Sequence, residues 1–146
     1  NIRKFHQVTA FSIIKDHPYL GLGFTQFSEG AARYFPEGTR DYVRSTAPHN
    51  IFLFLASETG LISLTLFLGW IAALLYSFFR APHTIENATF ASLFIGFLLI
   101  GCCDFYPILF QQGKLMFFLT GALLALHTTR HLNDKSISRK HLENVR

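Results

Sequence analysis

Long apolar runs fill the last two-thirds of the chain, and short polar stretches separate them. Residues 51–79 carry one formal charge, Glu58. As a single helix this run would measure about 43 Å, whereas the hydrocarbon core of a membrane is about 30 Å thick. The excess predicts a short interfacial helix over 48–59, a joint at Gly60 and a spanning helix beyond it. Three spans are predicted in all, over 61–79, 88–103 and 114–129.

The first 50 residues are more polar. Apolar residues recur at roughly helical spacing over 2–14, which predicts an amphipathic helix that lies on a membrane surface or packs on other helices. Pro18, Gly21 and Gly23 end that helix and make a turn, and residues 25–47 form an irregular loop. The predicted fold class is therefore an all-α integral membrane protein with about three transmembrane helices, an external loop with an amphipathic helix, and a short interfacial helix.

Composition supports the membrane class. Half of the 146 residues are apolar, 17 are Phe and 15% are charged, which is too apolar for an ordinary soluble domain of this size. Cys102 and Cys103 are adjacent in an apolar run, and we interpret them as packing residues. The chain does not begin with Met, so we expect a fragment of a larger protein.

Lysine and arginine residues near the ends of the predicted spans give an orientation. Six lie on one side: Arg80, Arg130, Lys135, Arg139, Lys140 and Arg146. Four lie on the other: Arg33, Arg40, Arg44 and Lys114. The side with six is predicted to be cytoplasmic, because cytoplasmic loops carry an excess of Lys and Arg. This assigns residues 1–50 to an extracytoplasmic loop, 51–129 to the membrane region and 130–146 to a cytoplasmic tail.

The net charge of +4 indicates anionic membrane lipids or phosphorylated substrates as partners. The basic residues do not alternate with aromatic residues in a strip, so we expect no nucleic-acid partner. The sequence has no paired Cys/His spacing of a metal site, no nucleophile elbow and no glycine-rich nucleotide loop. We therefore expect neither a metal nor a cofactor.

The triplet Pro48-His49-Asn50 stands where the longest apolar run begins. Ser45 and Thr46 are the predicted N-caps, with Pro48 in the first turn, which places His49 near a helix N-terminus. An imidazole there could act as a general base, and the helix end attracts phosphate. The combination indicates group transfer from a phosphorylated donor. The alternative is an interfacial histidine with no chemical role.

Other charged and polar residues accompany His49. Glu58 lies inside a segment that enters the membrane, so we expect it to be paired with an arginine or with a backbone N–H near the turn; the alternative is an acid at headgroup level that faces water. Arginine side chains have the fork geometry that grips a diphosphate, and the candidates are Arg3, Arg33, Arg40 and Arg44. Asp104 and Gln112 flank the second external turn, where they could touch the same site or cap helices.

Two stretches of the chain resemble the O-antigen ligase and O-antigen polymerase family. The first is KDHPYLGLGFTQF, a loop, and then APHNIFLFLASETGLISLTLFLGW. It has the family's order of a Pro-x-x-Gly-x-Gly turn, a His-Asn pair and a Glu-x-Gly motif, which are here Pro18, Gly21, Gly23, His49, Asn50, Glu58 and Gly60. The second, CDFYPILFQQGKLMFFLTGALLAL, resembles the last hairpin of the family, with Asp104, Gln112 and Gly113.

The resemblance implies the C-terminal part of a bacterial polytopic glycosyltransferase of the inner membrane, with its active loop facing the periplasm. Such an enzyme transfers a glycan from an undecaprenyl-diphosphate donor to a saccharide or lipid acceptor on the outer face, with inversion and without a nucleotide sugar or metal. It implies His49 as the catalytic histidine, Arg3 and a further loop arginine as ligands of the donor diphosphate, and the other motif residues as support. The 25-residue loop before His49 is short for a lipopolysaccharide ligase, which favours a polymerase-like or simpler ligase-like member.

The alternative function is a non-catalytic part of a transporter or of a membrane assembly protein, because intramembrane polar residues also mark substrate pathways. Transporters place polar residues near the centres of their spans. Here the span centres are nearly all apolar, and the polar residues gather at one edge. This distribution favours chemistry at the membrane surface over transport.

Overall fold

The computed structural model describes residues 2–34, 48–80, 84–104 and 111–144. Within these ranges the chain forms helices and no β-strand. The elements are α1 (Ile2–Asp16), α2 (Phe27–Gly30), a 3-10 helix (Ala31–Tyr34), α3 (Ile51–Arg80), α4 (Ile85–Cys103) and α5 (Gln111–Asn144). The predicted all-α membrane class is confirmed, because α3 and α4 are long and apolar enough to cross a membrane.

The third predicted span, 114–129, lies inside α5. This helix has 34 residues and continues through the predicted tail to Asn144. Gln111, Gln112 and Lys114 make its first turn polar, and in the described part of the chain only α3 and α4 have the length and apolarity of a span. The count of three spans and the start of a tail at residue 130 therefore stay predictions.

Helix α3 is broken at Gly60, the joint that the length of the apolar run predicts. The backbone there has φ 81° and ψ 176°, a conformation that is essentially confined to glycine. The rings of Phe52 and Phe67 lie 6.2 Å apart, centre to centre, although a straight helix would separate these positions by about 22 Å. The helix therefore folds back at Gly60 into a first arm, 51–59, and a second arm, 61–80.

Helix α1 packs along the first arm and runs in the same direction. Ala10 and Ile13 form one buried cluster with Phe54 in the middle of the first arm. Just beyond the ends of the two helical segments, the Leu61 N–H donates a hydrogen bond to the carbonyl oxygen of Pro18 at 2.8 Å. Because the middles and the C-terminal ends of the two segments meet, their N-terminal ends also lie side by side.

The second arm, α4 and α5 share an aromatic core. Trp70, Phe94 and Phe117 meet pairwise, with ring centres 5.7, 5.9 and 5.2 Å apart. Aromatic pairs of this kind contribute about 0.5–1.5 kcal/mol each beyond the burial of their area. Phe94 and Phe117 are fully buried, so this cluster fixes the three helices against one another.

The outer faces of α3, α4 and α5 are also apolar. Their exposed large side chains include Leu61, Leu66, Tyr76, Phe79, Leu93, Leu99, Leu119 and Leu126. An apolar surface of this extent is unusual on a protein surrounded by water. It suits contact with lipid chains or with further membrane helices.

Candidate active site

His49 lies where the start of α3 meets the end of α4. Its Nδ1 is 3.5 Å from Oδ1 of Asp104, the residue that follows α4. This separation is longer than a usual N–H···O hydrogen bond, so we describe it as an electrostatic contact between an imidazole and a carboxylate. The side chain of His49 is 21% exposed and that of Asp104 is 42% exposed. A ligand can therefore reach both.

Asn50 starts α3 and ties it to α4. Its Oδ1 accepts hydrogen bonds from the N–H groups of Phe52 and Leu53, both at 3.0 Å, which is the geometry of an N-cap. Its Nδ2 donates to the carbonyl oxygen of Cys102 at 3.0 Å. One side chain thus fixes both the start of the helix and its position against α4.

This cap corrects the sequence prediction. The predicted N-caps, Ser45 and Thr46, lie outside the described residues, and α3 begins at Ile51, three residues after the predicted start. An asparagine directly before the apolar run reaches the N–H groups two and three positions further on, so no cap upstream is needed. His49 directly precedes this cap, where the positive end of the helix dipole lies close to its ring.

Gly101 brings α4 against the start of α3. A Cβ at this position would overlap the side chain of Ile51, which is fully buried. This close approach places Asp104, three residues further along the chain, beside His49. The carboxylate therefore reaches the histidine through the packing of two helices and not through a flexible loop.

At the other end of the first arm, Glu58 binds two backbone N–H groups. Its Oε2 accepts from the N–H of Thr25 at 3.0 Å, and its Oε1 accepts from the N–H of Phe27 at 3.1 Å. Of the two kinds of partner predicted for Glu58, the structure shows the backbone N–H. Thr25 has φ 64°, an uncommon value for a residue other than glycine, and these bonds hold the turn in that shape.

Three glycines complete this end of the arm. Gly21 and Gly60 have positive φ, and a Cβ on Gly21 would overlap the backbone of Glu58, while one on Gly60 would overlap the backbone of Tyr19. Gly23 also has positive φ, and its N–H donates to the carbonyl oxygen of Glu58 at 2.8 Å. The Pro-x-x-Gly-x-Gly and Glu-x-Gly motifs are therefore two halves of one contact.

We call Gly21, Gly23, Glu58 and Gly60 the glycine end of the first arm. His49 lies at the opposite end, about 13 Å away from Glu58 along the helix axis. These four residues were expected to support the site, and the structure places them where they set the position of the arm. Their influence on His49 therefore passes through the arm and not through direct contact.

The candidate arginines lie in different places. Arg3 is exposed in the first turn of α1, at the end of that helix that lies beside the start of the first arm. Arg33 is exposed in the 3-10 helix, next to Tyr34, whose hydroxyl donates to Asp16 at the far end of α1 at 2.8 Å. Of these two, Arg3 is the one at the level of His49.

Three other residues predicted for the site are Arg40, Arg44 and Gln112. Arg40 and Arg44 lie outside the described residues. Gln112 is exposed in the first turn of α5, where it stays a predicted supporting residue. Within the described ranges, no group of three or more His, Cys, Asp or Glu side chains could hold a metal ion.

His6 is a further polar residue at this end that was not predicted from the sequence. It lies on α1, is fully buried, and is close enough to His49 to interact with it electrostatically. Its pKa is lowered from the ordinary value, first by burial and second by repulsion from His49. The available signal was a polar residue on the apolar face of an amphipathic helix, because His6 is four and seven positions before Ala10 and Ile13. We call His6, His49, Asn50 and Asp104 the histidine end of the first arm.

Residues 1–68 match the model of the O-antigen ligase family. The match spans both ends of the first arm, and it confirms the family resemblance that the motifs indicate. An O-antigen ligase domain indicates a membrane enzyme that transfers glycans. Asp104 and Gln112 lie outside the matched segment. No curated protein and no solved structure matches the chain.

Proposed function

We propose that this chain carries the catalytic segment of a bacterial membrane glycosyltransferase. The enzyme transfers a glycan from an undecaprenyl-diphosphate donor to a saccharide or lipid acceptor on the outer face of the inner membrane. One observation carries the proposal: His49 stands beside a carboxylate, directly before a capped helix start, and inside the segment that matches the O-antigen ligase family.

His49 acts as the general base. Its Nδ1 is directed toward Asp104, so Nε2 is the nitrogen that takes the proton of the acceptor hydroxyl. As the proton moves, the hydroxyl oxygen attacks the anomeric carbon of the donor, and the bond from that carbon to the diphosphate oxygen breaks. Its electron pair leaves on undecaprenyl diphosphate. Asp104 orients the imidazole and stabilises the imidazolium that forms.

The leaving group carries negative charge that must be stabilised as the bond breaks. Arg3 supplies a guanidinium at the level of His49, and a guanidinium binds two phosphate oxygens at once. The N-terminus of α3 adds a fixed positive dipole directly after His49. Donors that are already in place cost no reorganisation during the reaction, which makes this electrostatic term a large part of catalysis.

The test is the complete enzyme in its native membrane, with transfer followed as a ladder of glycan products on a gel. Loss of a general base lowers the rate by about 10²–10⁴. The variant His49→Ala should therefore empty the ladder while the amount of protein in the membrane is unchanged. A matched control is His17→Ala, since His17 is an exposed histidine in the same matched segment, and it should keep wild-type transfer. Wild-type transfer by His49→Ala would overturn the proposal.

The orientation is part of the proposal. The Lys and Arg asymmetry favours residues 1–50 outside the cytoplasm and residues 130–146 inside it. A single cysteine at Ser136, which is exposed on α5, should react with an impermeant maleimide only after permeabilisation, once Cys102 and Cys103 are replaced by serine. A cysteine at the exposed Glu29 should react in intact cells. The reverse labelling pattern would mean that the chain has the opposite orientation in the membrane.

A further inference from the structure

His6 is a buried titratable side chain that the proposed mechanism does not use. It is fully buried, as are Ala10 and Ile13 on the same face of α1. The other two are small or apolar and pack in a cluster with Phe54. Burying an imidazole in such a place costs free energy unless polar neighbours compensate for it. An apolar side chain would suffice for packing here, so a titratable ring at this position is a candidate for a further role.

The register of the two helical segments places His6 beside His49. Leu61 is hydrogen-bonded to Pro18 where the segments end. His6 precedes Pro18 by 12 residues, and His49 precedes Leu61 by 12 residues. Since α1 and the first arm run in the same direction and rise by similar amounts per residue, the two histidines fall at the same level. The lowering of the His6 pKa by the nearby His49 agrees with this placement.

We infer that His6 is a positioning residue for His49: an uncharged imidazole on α1 that holds the base in the orientation in which it can take the acceptor's proton. This inference rests on the proposed function of His49. Asp104 approaches His49 from the end of α4, and His6 approaches it from α1. The imidazole is thereby held from two helices, α1 and α4.

The charge state of His6 is part of this role. A base that takes a proton becomes an imidazolium, and a second cation close by would oppose that step. Burial keeps His6 uncharged at neutral pH, so it can contact His49 without opposing its protonation. The cations on the same stretch of α1, Arg3 and Lys4, are exposed to solvent, which screens them more strongly than a buried charge would be screened.

The experiment measures turnover and the KM for donor in the complete enzyme, normalised to the amount of protein in the membrane. His6→Phe replaces the imidazole by an apolar aromatic ring and so removes its polar atoms. Since a displacement of a catalytic group by about 1 Å can cost about 10²-fold in rate, we expect kcat to fall by about that factor with the donor KM unchanged. His6→Asn and His6→Gln keep an uncharged polar group, and at least one of them should recover most of kcat.

Thr9→Val is the matched control, because Thr9 is a buried polar residue one turn away on the same helix; it should leave kcat unchanged. If His6→Phe keeps wild-type kcat, or if it lowers kcat no more than Thr9→Val does, His6 is only a core residue and the inference is wrong. If His6→Phe reduces the amount of protein, the same test uses kcat per molecule of enzyme for three other variants. His6→Asn or His6→Gln should then have a higher kcat than His6→Leu, and equal values would contradict the inference. Wild-type transfer by His49→Ala would instead contradict the proposed function itself, whatever the results for the His6 variants.

Discussion

The two ends of the first arm of α3 are built differently. At the glycine end, backbone groups meet backbone groups, glycines with positive φ allow the contact, and Glu58 is buried with both carboxylate oxygens hydrogen-bonded. At the histidine end, side chains from three helical segments meet, and His49 and Asp104 remain partly open to solvent. Hydrogen bonds and close backbone contacts fix the geometry of the glycine end. The histidine end instead keeps polar groups available to a ligand. The difference separates residues that place the arm from residues that act on a substrate.

The largest expected effect comes from Gly60→Ala. A residue with a Cβ is strained in this backbone conformation by about 1–3 kcal/mol, and its Cβ would also overlap the backbone of Tyr19. Losses of this size lower cellular abundance several-fold, so we expect several-fold less protein in the membrane and a matching loss of transfer. Quantitative immunoblotting of membranes measures the loss.

The matched control for this variant is Gly69→Ala. Gly69 lies in the second arm, and a Cβ there meets nothing within 4 Å. Alanine is favoured over glycine inside a helix by roughly 1 kcal/mol, so abundance should be equal to or above that of wild type. Equal abundance of the two variants would mean that the break at Gly60 does not require glycine.

Glu58→Gln should have the next largest effect. An amide has a single oxygen acceptor, and its NH₂ group would face one of the two N–H groups that Glu58 now binds. Leaving one buried N–H without an acceptor costs about 1–3 kcal/mol. We expect lower abundance, with the correctly folded enzyme that remains close to wild-type kcat, because Glu58 bonds to the turn at Thr25 and Phe27 and does not contact His49. Glu29→Gln is the control, since Glu29 is exposed. A large loss of kcat at normal abundance would place Glu58 in the chemistry instead.

The glycine end could be predicted from the sequence because its signals are local. An apolar run longer than the membrane is thick predicts a joint, and Gly60 is the glycine that leaves a segment of spanning length, 61–79, after it. The angle at that joint could not be predicted, because it depends on the contact between Phe52 and Phe67. The cap at Asn50 was missed for a similar reason, since several residues before α3 are good caps and only the folded chain selects among them.

The histidine end could be predicted only in part. His49 was found because it directly precedes an apolar run, and Asp104 because it follows one. His6 was missed because a single polar residue on an apolar face usually has no chemical role, and its neighbour is 43 positions away along the chain. The position of Arg3 beside the start of the first arm also required the structure, since spacing along the chain does not reveal which end of α1 lies next to His49.

Arg3→Lys separates the donor-binding role proposed for Arg3 from the catalytic role proposed for His49. An ammonium cannot reproduce the bidentate contact of a guanidinium with a diphosphate. We expect the KM for donor to rise by about tenfold, which corresponds to about 1.4 kcal/mol, and high donor concentration should restore most of the rate. Steady-state transfer at varied donor concentration measures this.

Arg33→Lys is the matched control, because Arg33 lies near the far end of α1 and should leave the KM unchanged. An equal rise in both variants would mean that the donor diphosphate extends along α1. No rise in either variant would leave Arg40 and Arg44 as the remaining candidates for the donor site.

The smallest expected effect is a loss of stability at mildly acidic pH. The pKa of folded His6 lies below its ordinary value of 6.5, so between 6.5 and that lower pKa the unfolded chain binds more protons than the folded chain. Stability must therefore fall as the pH drops through this window.

His6→Phe cannot take up that proton, so its unfolding temperature in detergent should change less between pH 7.5 and pH 5.5 than that of wild type. His49, Asp104, Arg3 and Lys4 are present in both proteins, so the difference between the two pH dependences reports the titration of His6 together with its interaction with His49. Parallel pH dependences would mean that folded His6 titrates as it does in the unfolded chain, and that its burial does not keep it uncharged beside His49.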